Sequence, residues 1–420
     1  MSNVNLFYLT MVKRDISLLL PLNFVTMKTL NDYNFKNKKA LIRVDFNVPL
    51  NDDFEVTDTT RIEAAKDTII KVLEDGGSAV LMSHLGRPKG EQEEYSLKHI
   101  CSKVSEILGV QTKFASNCVG PVAEDAVSRL DNGEVLLLEN LRYHEEEKKG
   151  DQKFAKQLSN LGDVYINDAF GTAHRAHAST TVVANYFEDK CVGYLLQKEI
   201  ESLNKVLNNS TKPVTAILGG AKVSTKITVI ENILDKIDHL IIGGGMTFTF
   251  IKAKGGKIGS SLVEEDKLDL ALEIIEKAEE KNVQIHLPSD AIVADSFSEF
   301  ANTNIEAVDN ISDGWMGLDV GPKTLEEFKG VVLQSKTILW NGPLGVFEME
   351  PFAKGTIELG NYIAEATEKG AFSLVGGGDS VAAVKQFGFE NKVSYVSTGG
   401  GAMLEMLEGK KLPGIAALED

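Results

Sequence analysis

The chain has 420 residues, 43% of them hydrophobic and 25% charged, with 44 lysines and arginines against 61 aspartates and glutamates and a formal net charge of -17. That length exceeds what one hydrophobic core usually supports, so two to three domains are expected, and the composition excludes a disordered, collagenous or coiled-coil protein. The acidic balance argues against nucleic acid or an anionic membrane as the main partner, because both select a basic surface; small anionic substrates remain, if positive charge is concentrated locally.

At the start of the chain, Lys13 and Arg14 precede an apolar run, Ile16 to Val25. The run is too short to span a bilayer, and no small-residue cleavage pattern follows it. Residues 1–26 therefore read as an N-terminal extension, disordered or upstream of a true start at Met27. The three cysteines, Cys101, Cys118 and Cys191, show neither C-x-x-C spacing nor a disulfide framework, which suits a reducing cytoplasm.

From about residue 38 onward, short β-branched runs alternate with segments of helical period, the pattern of βαβ units and a parallel sheet. Ala40 to Phe46 reads as the first strand, Ile62, Ala65, Ile69, Val72 and Leu73 fall on one helical face, and Gly76-Gly77 ends that helix before the strand opening at Ala79. Further strands are predicted to end near His84, Asn140, Asp168, Gly219, Gly243, Asp319, Trp340, Val375 and Ser397. The charged cluster Glu145 to Lys149 reads as a solvated loop. A helical stretch from Lys198 to Leu207, followed by the polar turn Asn208 to Pro213, marks a boundary between two α/β lobes of similar size.

All seven arginines lie within the first 175 residues, whereas lysine occurs throughout. Arginine offers a planar fork suited to phosphate and carboxylate, so the first lobe reads as the anion-binding one. Arg87, Arg142 and Arg175 follow strand-like runs, at the sheet edge where ligands bind in such folds, and Arg61 would start a helix after the Asn51 to Thr60 loop, although each alone would also serve as a surface ion pair. His84, His174 and His177 share those loops as further donors to an anion, or as incidental polar contacts. Asp45 and Asn47 follow the first strand and face the same edge, where Asp45 accepts from a substrate hydroxyl or orients an arginine.

The second lobe offers backbone instead. Gly219-Gly220, Gly243 to Gly245, Gly376 to Gly378 and Gly399 to Gly401 each follow an apolar run, where glycine lets amides approach phosphate oxygens. None fits the P-loop or a good G-x-G-x-x-G. Lys222 and Lys226, four apart, are predicted to share one face at a helix N-terminus, where cations oppose the macrodipole by about 0.3–1 kcal/mol and call for a bound anion. Asp379 reads as a magnesium ligand beside nucleotide phosphates, or as a helix cap, and Glu348 as a contact to ribose hydroxyls or a surface residue.

Ten of these motifs occur in an order that resembles phosphoglycerate kinase, from about residue 28 to 418. They include Arg43 to Pro49, Ser83 to Pro88, Glu139 to Arg142, Asp168 to His177, Leu218 to Lys222, Gly317 to Pro322, Trp340 to Phe347 and Gly376 to Ser380. The resemblance implies reversible phosphoryl transfer from 1,3-bisphosphoglycerate to ADP, giving 3-phosphoglycerate and ATP, by a cytoplasmic, magnesium-dependent monomer of glycolysis. It implies two doubly wound, Rossmann-like parallel-sheet lobes joined by a helix hinge. The lobes would be residues 27–195 for 3-phosphoglycerate and 196–403 for the nucleotide, with 196–212 as the interdomain helix and 404–420 returning to the first lobe.

By the same resemblance Asp45, Asn47, Arg61, His84, Arg87, Arg142 and Arg175 would hold the triose phosphate. Lys226, Gly243, Gly244, Leu318, Asn341, Glu348, Gly376, Gly377, Gly378, Asp379 and Ser380 would hold the nucleotide, with Leu262 and Val346 beside its base and Asp379 on the metal. Arg61, Lys222 and Lys226 would be catalytic. Ser380 stands where the family usually has threonine, and Met403 where a small residue is usual. Two other classes remain: a nucleotide-dependent oxidoreductase, disfavoured without the glycine fingerprint, and a non-enzymatic relative, disfavoured because Arg61, Lys222, Lys226 and Asp379 are all present.

Overall fold

Runs apolar at every position can be buried on both faces, and in this chain they become central strands of parallel sheets. The structure, a computed structural model, describes residues 27–419; the extension read at 1–26 lies outside the described residues. In the first lobe the strands are β1 (Lys39–Val44), β2 (Ser78–Met82), β3 (Thr112–Ala115), β4 (Val135–Leu138), β5 (Val164–Asp168) and β6 (Lys190–Val192). They form one parallel sheet in the order β3-β4-β2-β1-β5-β6. In the second lobe β7 (Val214–Leu218), β8 (His239–Ile242), β9 (Lys257–Ile258), β10 (Gln284–His286), β11 (Asp290–Ala294) and β12 (Thr303–Ala307) come first. They are followed by β13 (Asn310–Ile311), β14 (Met316–Val320), β15 (Thr337–Asn341), β16 (Phe372–Val375) and β17 (Tyr395–Val396).

The second parallel sheet runs β10-β8-β7-β15-β16-β17, beside a three-stranded antiparallel sheet β12-β11-β14 and the pair β13-β9. Strand order reverses direction between β7 and β15 in the second lobe and between β1 and β5 in the first. In doubly wound sheets ligands bind in the crevice outside the strand carboxyl ends at such a point.

The predicted strand ends fall within a residue or two of the observed ones, but β3, β6 and β9 to β13 carried no recognisable signal. β6 has three residues, and β12 is largely exposed, so neither has an apolar run to read. Helix Thr60–Glu74 buries Ile62, Ala65, Thr68, Ile69 and Val72, while Gly76, at φ 85°, turns the chain into β2. The segment read as a solvated loop is instead a short helix, Glu145–Lys149, with Glu147 buried. Its carboxylate accepts the Ser179 amide at 2.9 Å and the Ser179 hydroxyl at 2.6 Å, which compensates its lost hydration.

Helix Tyr194–Leu207 connects the lobes and buries Leu196, Ile200, Leu203 and Val206 in a core that runs from Leu41 in the first lobe to Leu218 and Ile230 in the second. Met403, Met406 and Ile415, from the end of the chain, join the same core. The C-terminal stretch also bonds to the first lobe. Gly414 N donates to Ala173 O at 2.8 Å, Lys190 Nζ donates to Ala417 O at 3.0 Å, and Met27 forms an antiparallel bridge with Glu419. Among the described residues no helix is long and apolar enough to cross a membrane.

Candidate active site

At the carboxyl end of the first sheet, β1 and β5 lead into loops that converge on a group of guanidinium ions. Arg61, the second residue of its helix, bonds through Nη1 to Asp45 Oδ2 at 3.1 Å and to Asn47 O at 3.0 Å. Asn47 Oδ1 accepts the Gly86 amide at 2.7 Å, and Arg142 Nη1 donates to Gly86 O at 2.6 Å, so the loop after β2 is tied to both. Gly171 allows this packing, because a methyl there would lie 2.6 Å from Asp45 Oδ2. Arg175 is half-buried beside His174, and Arg87 is exposed on the rim.

Burial, followed by the charges of Arg43, Arg142, Arg61 and Arg175, holds the His84 imidazole well below its usual pKa, so it is neutral. His177 is lowered to about 4 by burial and by Arg142, Arg43 and Arg175. Burial and its arginine neighbours bring Arg142 down only to about 10, so it stays charged. Arg43, quoted in a motif but given no role from sequence, is fully buried under this cluster, donating to Ser179 Oγ at 2.8 Å and lying 3.3 Å from His84 Nδ1. The carboxylates facing the cluster are Asp45 and Glu147, fewer than the arginines. Arg142 Nε, Asp45 Oδ1 and His174 Nδ1 are buried without a hydrogen-bond partner among the described residues. Excess positive charge and the unmatched Arg142 Nε donor are what an anionic ligand relieves, while Asp45 Oδ1 asks for a donor such as a hydroxyl.

At the carboxyl end of the second sheet a cavity of about 510 Å³ opens at the β7/β15 switch. Gly220, Gly244 and Gly245 form one wall in backbone, Leu262, Leu318 and Val346 form an apolar wall, and Glu348 and Asp379 also line it. Gly219 brings the two central strands' loops together: a methyl on it would lie 2.0 Å from Pro343 O. Gly243 packs under the floor against Leu344.

Several residues predicted to touch the nucleotide lie behind the cavity instead. Asn341 is fully buried, donates to Gly376 O at 2.8 Å and accepts from Lys226 Nζ; Ser380 is fully buried and accepts the Gly342 amide. Gly377, at φ 92°, packs on the Asn341 amide. Gly376 is buried, whereas Gly377 is partly exposed and Gly378 exposed next to Asp379, which lines the cavity. The Asn341 and Ser380 side chains shape the loops rather than the wall, because their polar groups are already committed to backbone and, for Asn341, to Lys226.

The two lysines also depart from expectation. Val223–Thr225 is a 3-10 turn and the helix begins at Ile227, so Lys222 lies outside it and Lys226 sits at its N-cap. The i, i+4 argument assumed an earlier helix start. Lys226 is lowered in pKa by burial, partly offset by Asp379, whereas Lys222 is exposed and makes no side-chain bond among the described residues. Phe297 and Asp319 line the cavity and were missed. Phe297 lies on the β11–β12 connection in a stretch without periodicity. Asp319 was visible as a strand end and as part of the Gly317 to Pro322 motif but was given no role, yet burial raises its carboxyl to about 7 while Oδ2 accepts the Gly355 amide at 2.7 Å.

Asp379 is a single exposed carboxylate at a helix N-terminus, and no group of three or more metal-ligating side chains occurs among the described residues. That fits magnesium, which is commonly held by one or two carboxylates together with substrate phosphates.

The two edges meet. Glu199 of the connecting helix, buried, accepts the Thr398 amide and hydroxyl at 2.7 Å each through Oε1, and a methyl on Gly399 would strike the Phe170 ring.

Comparison with known proteins agrees with this architecture. The phosphoglycerate kinase family model matches residues 30–410. Phosphoglycerate kinase of Porphyromonas gingivalis is 53% identical over 93% of this chain and 100% of its own length, and that of Chloroherpeton thalassium is 53% identical over 94% and 99%. The structure of phosphoglycerate kinase from Coxiella burnetii superposes with a TM-score of 0.86 at 42% identity, covering 93% of this chain and 98% of that one. With its motifs in order, its two switch-point sites and this agreement along nearly its whole length, the chain belongs to the phosphoglycerate kinase family.

Proposed function

We propose that this kinase moves a phosphoryl group reversibly between 1,3-bisphosphoglycerate and ADP by dividing the work between its two sheet edges. Residues 27–195 hold the triose phosphate through Arg61, Arg87, Arg142, Arg175, His84, Asp45 and Asn47. Residues 196–403 hold the nucleotide in the glycine-walled cavity, with 196–212 as the connecting helix and 404–420 packed back on the first lobe. The observation carrying this reading is the pairing of an under-neutralised arginine cluster with a backbone-walled cavity at the carboxyl ends of two sheets joined by one helix.

The chemistry asks little of acid–base groups, because the acceptor is a carboxylate in one direction and an ADP phosphate in the other. It needs alignment and neutralisation of charge on the transferred oxygens. Arg61, steadied through Nη1 by Asp45, keeps Nη2 and Nε for that charge. Lys222, unbound and exposed, swings to it from the second lobe, and Lys226 stays by the nucleotide. Magnesium, held at Asp379, supplies further charge neutralisation on the nucleotide phosphates when bound. Lobe closure brings Arg61 to Lys222 and excludes water that would hydrolyse the acyl phosphate. Both sites lie within one chain, which supports a monomer as the working unit, and three free cysteines suit the cytoplasm.

The direct test is a coupled assay consuming ATP and 3-phosphoglycerate and following NADH oxidation, with and without magnesium. Magnesium-dependent turnover is expected, and its absence would overturn the reading.

A further inference from the structure

A polar contact away from the connecting helix also joins the lobes. Lys385, near the end of helix Gly378–Gln386, donates to Asp58 Oδ2 at 2.6 Å and to Thr60 Oγ1 at 2.9 Å. Asp58 Oδ1 in turn accepts the Thr60 amide at 2.9 Å, at the start of helix Thr60–Glu74. Burial raises the Asp58 carboxyl, but the bonds from Lys385 and Thr60 outweigh it and bring its pKa to about 2.

Both helices carry site residues beside this contact. Arg61 directly follows Thr60, and Asp379 lies about 9 Å back from Lys385 along its helix. The side chains of Lys385 and Asp58 are 31% and 39% exposed, and ion pairs so exposed add little to stability. What the contact supplies is geometry. Two bodies joined on one side, by the connecting helix and the C-terminal segment packed beside it, still twist about that side, whereas a contact away from both defines an axis and suppresses the twist.

We propose that Lys385 is a positioning residue for phosphoryl transfer: its contact with Asp58 and Thr60 is a second pivot that, with helix Tyr194–Leu207, confines the lobes to one closing arc. The proposal rests on the assignment of Arg61 and Asp379 to the two sites. With the pivot engaged, closure repeats the same approach of Arg61 to the nucleotide. Without it, each lobe still binds its own substrate, but fewer closures align the reacting groups.

The test uses the full chain with Lys385→Gln, Lys385→Arg, Asp58→Asn and the exchange Asp58→Lys with Lys385→Asp. Lys385→Gln and Asp58→Asn should each lower kcat by roughly 3- to 10-fold, with both KM values within about twofold of the parent. Spin labels on the two lobes should report a broader distance distribution for both variants with both substrates bound. Lys385→Arg should keep kcat within about twofold, and the exchange should recover much of the loss. Unchanged kcat in Lys385→Gln, a kcat loss without broadening, or an equal loss in Lys385→Arg would each overturn the proposal. Failure of the site assignment itself would appear differently, as an Arg61→Ala variant with normal kcat, while the distance distribution reads the pivot independently.

Discussion

Arg43 and Glu147, each 1% exposed, meet through one hydroxyl: Arg43 Nε donates to Ser179 Oγ at 2.8 Å, and that hydroxyl donates to Glu147 Oε1 at 2.6 Å. The chain thus holds a compensated ion pair beneath its arginine cluster. Burial raises the Glu147 carboxyl and the Arg43 charge opposes that rise. Glu147→Gln leaves Arg43 buried without its carboxylate and should cost about 3–5 kcal/mol in guanidinium-induced unfolding. The double change Arg43→Met with Glu147→Leu should cost less than the single one, because no unpaired charge remains.

Arg61→Ala should raise the barrier to turnover by about 3–5 kcal/mol, in the range of arginine fingers and oxyanion donors, with KM for ATP little changed. The coupled assay at saturating substrates reads this directly. An unchanged kcat would reduce Arg61 to a partner of Asp45.

Glu199 is wholly buried, and burial raises its pKa to about 7 against the pull of its bonds to Thr398. The folded protein therefore retains a proton that the unfolded chain has released. Its contribution to stability is complete below about pH 4.5 and is lost as pH rises toward 7, an effect on the order of 3 kcal/mol. Glu199→Gln should flatten the wild-type decline between those pH values in urea unfolding. Parallel curves for the two proteins would show that Glu199 stays ionised.

Gly219→Ala places a methyl against the Pro343 carbonyl and forces apart the loops after β7 and β15. Overpacking of this kind costs about 1–3 kcal/mol of stability. The KM for ATP should rise at least about tenfold, corresponding to about 1.4 kcal/mol of lost binding, while binding of 3-phosphoglycerate is spared. Isothermal titration with each substrate separates the two.

Central strands were legible because burial on both faces favours largely apolar, β-branched runs, as in β2, β5, β7 and β15. The edge strands β3, β6, β10 and β12 escaped because one face or a whole edge meets solvent, which relaxes the sequence; β17, also an edge, was read, and the central, buried β11 was not. Arg61 and Asp379 could be placed from loop position alone, since they project from strand or helix ends. Asn341 and Ser380 could not, because whether a polar side chain in a glycine-rich loop faces a ligand or its own backbone depends on hydrogen bonds across distant strands. Glu147 misled for a similar reason: its partners, Ser179 and Arg43, lie far away in sequence.

The bridge between Met27 and Glu419, with the bonds from Lys190 to Ala417 and Glu419, bears on how the protein is made. Synthesis proceeds from the N-terminus, and domains generally fold as they emerge. Here the first lobe to leave the ribosome waits for residues 414–419 before its surface is covered. The lobe made first is thus completed by residues synthesised after the second lobe, and removing residues 414–419 would uncover that surface while leaving the second sheet's strands in place.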